Sequence, residues 1–118
     1  MAKNGGYAKA ADFVTAYFKS HNISPFYPAY RDSLVTDGLV SDNLIVQIGA
    51  YDPQRKTVLV GAQLDHVGIH GTIGDTICNG ADDNATGAAA VLQIVKFLTQ
   101  FELKQNILLA LVADEEKG

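Results

Sequence analysis

A single cysteine, Cys78, stands in the whole chain, so an internal disulfide is excluded and the redox compartment is not readable. No apolar run approaches the ~20 residues of a membrane-spanning helix. The N-terminal "MAKNGGYAKA" lacks the apolar core of a signal peptide, and localisation stays unknown at this stage. Basic residues are few and scattered: nine Lys and Arg stand against thirteen Asp and Glu, a net charge of −4. That balance argues against nucleic acid as the main partner. Internal repeats, low-complexity tracts and blocks of like charge are also missing. What is present is a chain of 118 residues with 47% hydrophobic content, which suffices for the core of one domain. A chain of this size buries roughly two-thirds of its unfolded surface and folds with little to spare.

Residues 8–20, "AKAADFVTAYFKS", set Ala10, Phe13, Val14 and Tyr17 on one helical stripe, which predicts an amphipathic helix. Pro25, Pro28, Gly38 and the polar residues between Arg31 and Asp42 make 21–42 an expected loop or extended stretch. The β-branched runs "NLIVQIGA" (43–50) and "TVLVGAQLDH" (57–66) read as strands. The Asp-Pro between them predicts an antiparallel hairpin. Residues 67–81, with four glycines, form a loop long enough to suggest a functional role. "NATGAAAVLQIVKFLTQF" (84–101) is an expected helix, apolar nearly all round, and "NILLALVADEE" (106–116) an expected central strand buried on two sides. The order predicts a three-layer α/β/α sandwich with a mixed sheet, its last strand parallel to an earlier one through a helical crossover. Three strands are few for such a sheet, so the domain is expected to be incomplete at its C-terminus.

In open α/β sheets, ligands gather outside the carboxyl ends of the strands. "GAQLDH" ends one strand with Gln63 and Asp65 on one face; "VADEEKG" ends the other with Asp114, Glu115 and Glu116. "NGADDNATG" opens the crossover helix between them. Asp82, Asp83 and Asn84 are good helix caps and nothing more is needed to explain that string by itself. Gathered with the other two stretches, however, up to six carboxylates crowd one rim, and like charges so placed need a compensating cation. Hard oxygen donors suit zinc, magnesium, calcium or manganese.

Three motifs in this order, "VLVGAQLDHVG", "NGADDNATGAAAVL" and "LLALVADEEKG", give the chain a resemblance to the N-terminal half of the catalytic domain of the co-catalytic di-zinc exopeptidases. That group holds bacterial leucyl aminopeptidases, glutamate carboxypeptidase II and the non-catalytic transferrin receptor. The resemblance implies a phosphorylase/zinc-peptidase type of fold, with residues 1–118 a partial catalytic domain. It implies that Asp83 bridges two zinc ions, Glu115 is the general base and Glu116 a terminal zinc ligand. Asp65 would be the carboxylate that orients the first histidine ligand. Two metals would polarise a scissile carbonyl and lower the pKa of a bridging water, with the glutamate carrying the proton to the leaving amine. The expected substrate is a peptide or aminoacyl compound, the expected cofactor zinc, and many members of the group are exported.

Two departures bear on activity. Gln63 stands at the family's histidine position, where an amide offers only a neutral carbonyl oxygen. The family's remaining ligands lie downstream of the glutamate pair, so the chain as given is expected to be inactive by itself. His66 and His70 sit in a glycine-rich stretch and lack the pattern of a helical zinc motif; both are expected to be loop residues. Cys78 is expected to be passive, and Phe26, Tyr27 and Tyr30 to pack on the sheet. The alternative is a non-catalytic interaction module of the same fold, completed by a homo-oligomer formed through the uncovered sheet edge.

Overall fold

The computed structural model describes residues 5–36, 38–66, 68–69, 74 and 77–114. In chain order these form helix α1 (Gly5–Ser20), strand β1 (Ser24–Pro25), a short 3-10 turn (Pro28–Tyr30), β2 (Arg31–Thr36) and β3 (Leu39–Ile48). Then come β4 (Thr57–Gln63), the small pair β5 (Gly68–Ile69) and β6 (Ile77–Cys78), a wide turn (Ala81–Ala85), helix α2 (Thr86–Leu98) and β7 (Asn106–Val112).

The main sheet is mixed and five-stranded, in the order β1-β3-β7-β4, with β2 also paired to β3. The hairpin expected between 43–50 and 57–66 is not formed. The Asp52–Pro53 segment does reverse the chain, with Arg55 N–H donating to Asp52 O at 3.0 Å. Yet β7 enters between the two strands, antiparallel to β3 and parallel to β4. The reason is hydrophobic: "NILLALV" is the most apolar strand, and the interior position pairs both its edges and withdraws it from the rim, with Leu109, Ala110 and Leu111 at most 4% exposed. Its parallel partnership with β4 agrees with the expected crossover through α2.

The stretch 21–42 is also more ordered than its composition suggests. β2 and β3 form an antiparallel hairpin whose register pairs Ser33 with Asp42 and Arg31 with Leu44. Its polar residues satisfy one another: Arg31 Nη1 donates to Asp42 Oδ2 at 2.8 Å, and Ser33 Oγ to Asp42 Oδ1 at 2.6 Å. Cross-strand pairs of this kind stabilise a sheet without apolar content. Burial pushes the Asp42 carboxyl up, but the Ser33 hydroxyl and the Arg31 guanidinium outweigh it and the net shift is downward.

Both helices bury the same sheet face. Tyr7, Ala11, Val14 and Phe18 of α1 join Ala88, Val91 and Val95 of α2 over Leu44, Val46, Leu109 and Leu111. The register places Leu44 opposite Leu111 and Val46 opposite Leu109, so one side of the sheet carries the core. Tyr17 Oη ties the helices by donating to Leu92 O at 3.3 Å. The stripe expected on α1 is thus rotated: Val14 is inside, but Phe13 is 67% exposed, because the stripe that starts at Tyr7 meets the sheet instead. α2 is apolar nearly all round, as its sequence reads, yet Ile94 and Phe97 face outward rather than into the core. Among the described residues no helix lies on the opposite sheet face, where Leu59 is exposed. Tyr30 packs as expected, stacked on Phe18 with ring centroids 5.7 Å apart and its hydroxyl donating to Ile23 O.

Candidate functional site

The parallel register of β4 and β7 pairs Thr57 with Asn106 at one end and Gln63 with Val112 at the other, so both strands finish level. Leu64 N–H donating to Val112 O at 2.8 Å carries the ladder one step further. Beyond that point lie Asp65 and Asp114, 6% and 9% exposed. Asp114 N–H donates to Asp65 Oδ2 at 2.9 Å, which joins the two strand ends directly. From β3, Ser41 Oγ donates to Asp114 Oδ2, and Asn43 Oδ1 accepts from Ala113 N–H at 3.0 Å. Asp114 itself has φ +63°, a left-handed conformation that non-glycine residues adopt at a cost of roughly 1–2 kcal/mol. Three side chains on two neighbouring strands hold it there.

The answer to whether "ADDN" is only a helix cap lies in which residue does the capping. Asn84 Oδ1 accepts from Gly87 N–H at 3.1 Å, at the head of α2. Asp82 and Asp83 are exposed, and neither carboxylate makes a hydrogen bond or ion pair among the described residues. The turn that carries them closes with Ala85 N–H donating to Gly80 O at 2.8 Å. Gly80 rests on His66, just past β4: a Cβ added there would stand 2.8 Å from His66 Cβ. Only glycine permits that approach, and the approach seats the aspartates beside the end of β4.

Of the residues singled out in the sequence, the structure places Gln63 (7% exposed) at the tip of β4, Asp65 just after it and Asp83 in the turn before α2. Glu115, Glu116 and His70 lie outside the described residues, as does most of the glycine-rich stretch 67–76. Of the three caps the sequence offered, Asn84 is the one whose side chain accepts from the first turn; Ser41 and Asn43 were missed. Ser41 and Asn43 alternate on one face of β3, a period-2 polar pattern that becomes visible only once the strand is started at Leu39.

Asp65 Oδ1 is buried and has no hydrogen-bond partner among the described residues. Among the described residues, however, no three His, Cys, Asp or Glu side chains are grouped so as to hold an ion. Asp83 and the neutral amide of Gln63 do not by themselves make a zinc site, which generally takes three protein ligands.

Solved structures of the same fold include a Zn-dependent exopeptidase from Parabacteroides distasonis (21% identity, TM-score 0.72, covering 98% of this chain and 41% of that one). Others are LapB from Legionella pneumophila (23%, 0.69, 99% and 31%) and the glutaminyl cyclase of Porphyromonas gingivalis (19%, 0.77, 98% and 42%). The chain thus spans between 31% and 42% of the length of these proteins. The model of peptidase family M28 matches residues 43–118. That segment takes in the second part of β3, all of β4, α2 and β7, and every site residue named from the sequence, and on that match the chain belongs to peptidase family M28.

Proposed function

We propose that the chain carries part of the centre of a zinc-dependent peptidase, with release of N-terminal residues from peptides as its reaction. The observation that carries this reading is Asp83: an exposed carboxylate with no partner among the described residues, at the head of α2, while Asn84 does the capping. An acid so placed is free to take a metal. In this reading Asp83 and Glu116 are ligands, Glu115 is the general base and Asp65 orients the group at position 63. Gln63 weakens the centre, because an amide oxygen replaces an imidazole, and turnover by the chain as it stands is expected to be undetectable.

The primary test is therefore Zn2+ binding by calorimetry, supported by release of nitroaniline from leucine p-nitroanilide. Asp83→Asn should abolish zinc binding, and Gln63→His should tighten it by about tenfold or more. Zinc affinity indifferent to both substitutions would refute the reading. Because the fold is shared with proteins named glutaminyl cyclases, an N-terminal glutaminyl peptide is assayed in parallel. Its cyclisation without nitroanilide hydrolysis would reassign the reaction.

A second reading is a non-catalytic interaction module. It is favoured by β4, which has β7 as its one partner among the described residues and carries Val58 and Leu59 at 46% and 63% exposure. Exposed apolar edges of this kind invite strand pairing between chains. Sedimentation distinguishes the two: a stable monomer with a cooperative melt counts against the module.

A further inference from the structure

We propose that the outward face of α2 is the contact surface of a homodimer, in which two copies of this helix lie antiparallel across a two-fold axis. The surface is independent of the peptidase reading and distinct from the β4 edge. α2 buries Ala88, Val91 and Val95 against the sheet. At spacings of three and four residues, Ala90, Ile94, Phe97 and Phe101 form a second apolar stripe turned away from it. Ile94, Phe97 and Phe101 are 38%, 59% and 50% exposed. Past the helix, Gln100 N–H donates to Phe97 O at 3.3 Å and Phe101 N–H to Leu98 O at 3.1 Å. That tight turn keeps Phe101 on the stripe, its ring centroid 5.0 Å from that of Phe97. Two half-exposed phenyl rings in line with an isoleucine make a contiguous apolar patch, and such patches mark interaction sites where scattered single residues do not.

Charge and shape select a second copy as the occupant. The one charged residue of α2 is Lys96, in its last turn, while Asp82 and Asp83 stand exposed just before its first. The helix therefore has a negative head and a positive tail. An antiparallel copy sets each tail beside the other's head, whereas a parallel copy would set like against like. Side-chain size follows the same logic: Gly87 and Ala90 occupy the first half of the outer face, Ile94 and Phe97 the second. With the axis at the level of Leu92, each Phe97 meets the second copy's Gly87 and each Ile94 its Ala90. That is the self-complementarity an isologous contact requires. A lipid surface fits less well, since an interfacial helix is rich in Lys and Arg on its polar face and this one offers Gln93, Lys96 and Gln100. One helix face is smaller than the roughly 800 Å2 per partner of a standard interface, so the dimer is weak, with a Kd on the order of 100 µM.

The experiment is sedimentation equilibrium of the chain between about 5 and 500 µM, with variants whose fold is verified by thermal melts. The wild-type chain should pass from monomer to dimer across that range. Phe97→Lys and Ile94→Lys, both at exposed positions, should each weaken association at least about tenfold. Lys96→Glu should weaken it by about threefold or more, and adding Asp82→Lys to that variant should restore it. Leu59→Lys on β4 is the control and should leave the dimer within about twofold of wild type. A chain that is monomeric at every concentration overturns the proposal, in favour of a lipid surface if it then sediments with phosphatidylglycerol vesicles. A dimer that survives both Phe97→Lys and Ile94→Lys, or that is lost in Leu59→Lys alone, overturns it as well. So does failure of Asp82→Lys to rescue Lys96→Glu, because the antiparallel arrangement requires that pairing.

Discussion

Asn106 sets the register of the two parallel strands from the end opposite the site, and its replacement should be costly. Its side chain is 3% exposed and serves the loop between β3 and β4. Nδ2 donates to Asp52 O at 2.6 Å and to Arg55 O at 3.1 Å, while Oδ1 accepts from Asp52 N–H at 2.9 Å. At about 1 kcal/mol net for each bond, Asn106→Ala loses about 3 kcal/mol. Asp52 and Arg55 are partly open to water, which re-pairs some of these groups and brings the loss to about 2 kcal/mol. With an unfolding entropy near 2.1 cal/mol/K per residue, 118 residues convert that into a fall of about 8 °C in melting temperature. Asn106→Asp should be worse at pH 7, because a carboxylate would then face two carbonyl oxygens in place of an amide donor. Burial raises the pKa of that new acid in the folded state, so the deficit should shrink as pH falls and grow as it rises. Thermal melts followed by circular dichroism at pH 7 and pH 5 provide the check. Melting within about 2 °C of wild type for Asn106→Ala would refute the stapling role. So would Asn106→Asp proving no worse than Asn106→Ala at pH 7.

Two further outcomes are expected. Gly87→Ala should destabilise, although alanine in a helix normally gains about 1 kcal/mol over glycine. The added Cβ would stand 2.3 Å from Asn84 Oδ1 and displace the cap; a raised melting temperature would show that the cap is dispensable. Burial pushes the Tyr7 hydroxyl up to about 12, outweighing a backbone hydrogen bond at Asp42 that works the other way. Since its folded pKa is raised, the stability tied to Tyr7 is intact below about pH 10 and declines as pH rises from there toward 12. A Tyr7→Phe variant should show a flatter alkaline melting profile than wild type between those values, and parallel profiles would contradict the assignment.

Much of this could be read from residue order. The strand cores 43–48 and 57–63, the crossover helix and the apolar β7 follow from local pattern, and so does the parallel placement of the last strand. Neighbour identity did not follow. Asp-Pro correctly signals a reversal after β3, but no local feature says that a segment more than 40 residues later will fill the gap between β3 and β4. The α1 stripe was misjudged because two overlapping helical stripes both carry apolar residues, and only the sheet selects the one from Tyr7 to Phe18. At the candidate site, Gln63, Asp65 and Asp83 could be named from the sequence because each sits in a short contiguous motif. Ser41 and Asn43 were not: their partners lie 73 and 70 residues away, a separation that no motif spans.

The placement of β7 also bears on how the molecule is made. Strands β3 and β4 have no pairing with each other and meet only through a segment translated after both of them. Until residues 106–112 are synthesised, the earlier segments have no shared ladder to close upon, and their apolar faces wait for it. Assembly is therefore expected to be late and concerted rather than progressive from the N-terminus. Long-range parallel pairing is the slow step in such topologies. A nascent chain arrested before Asn106 should be a client for chaperones, whereas one that has cleared Val112 can close its sheet.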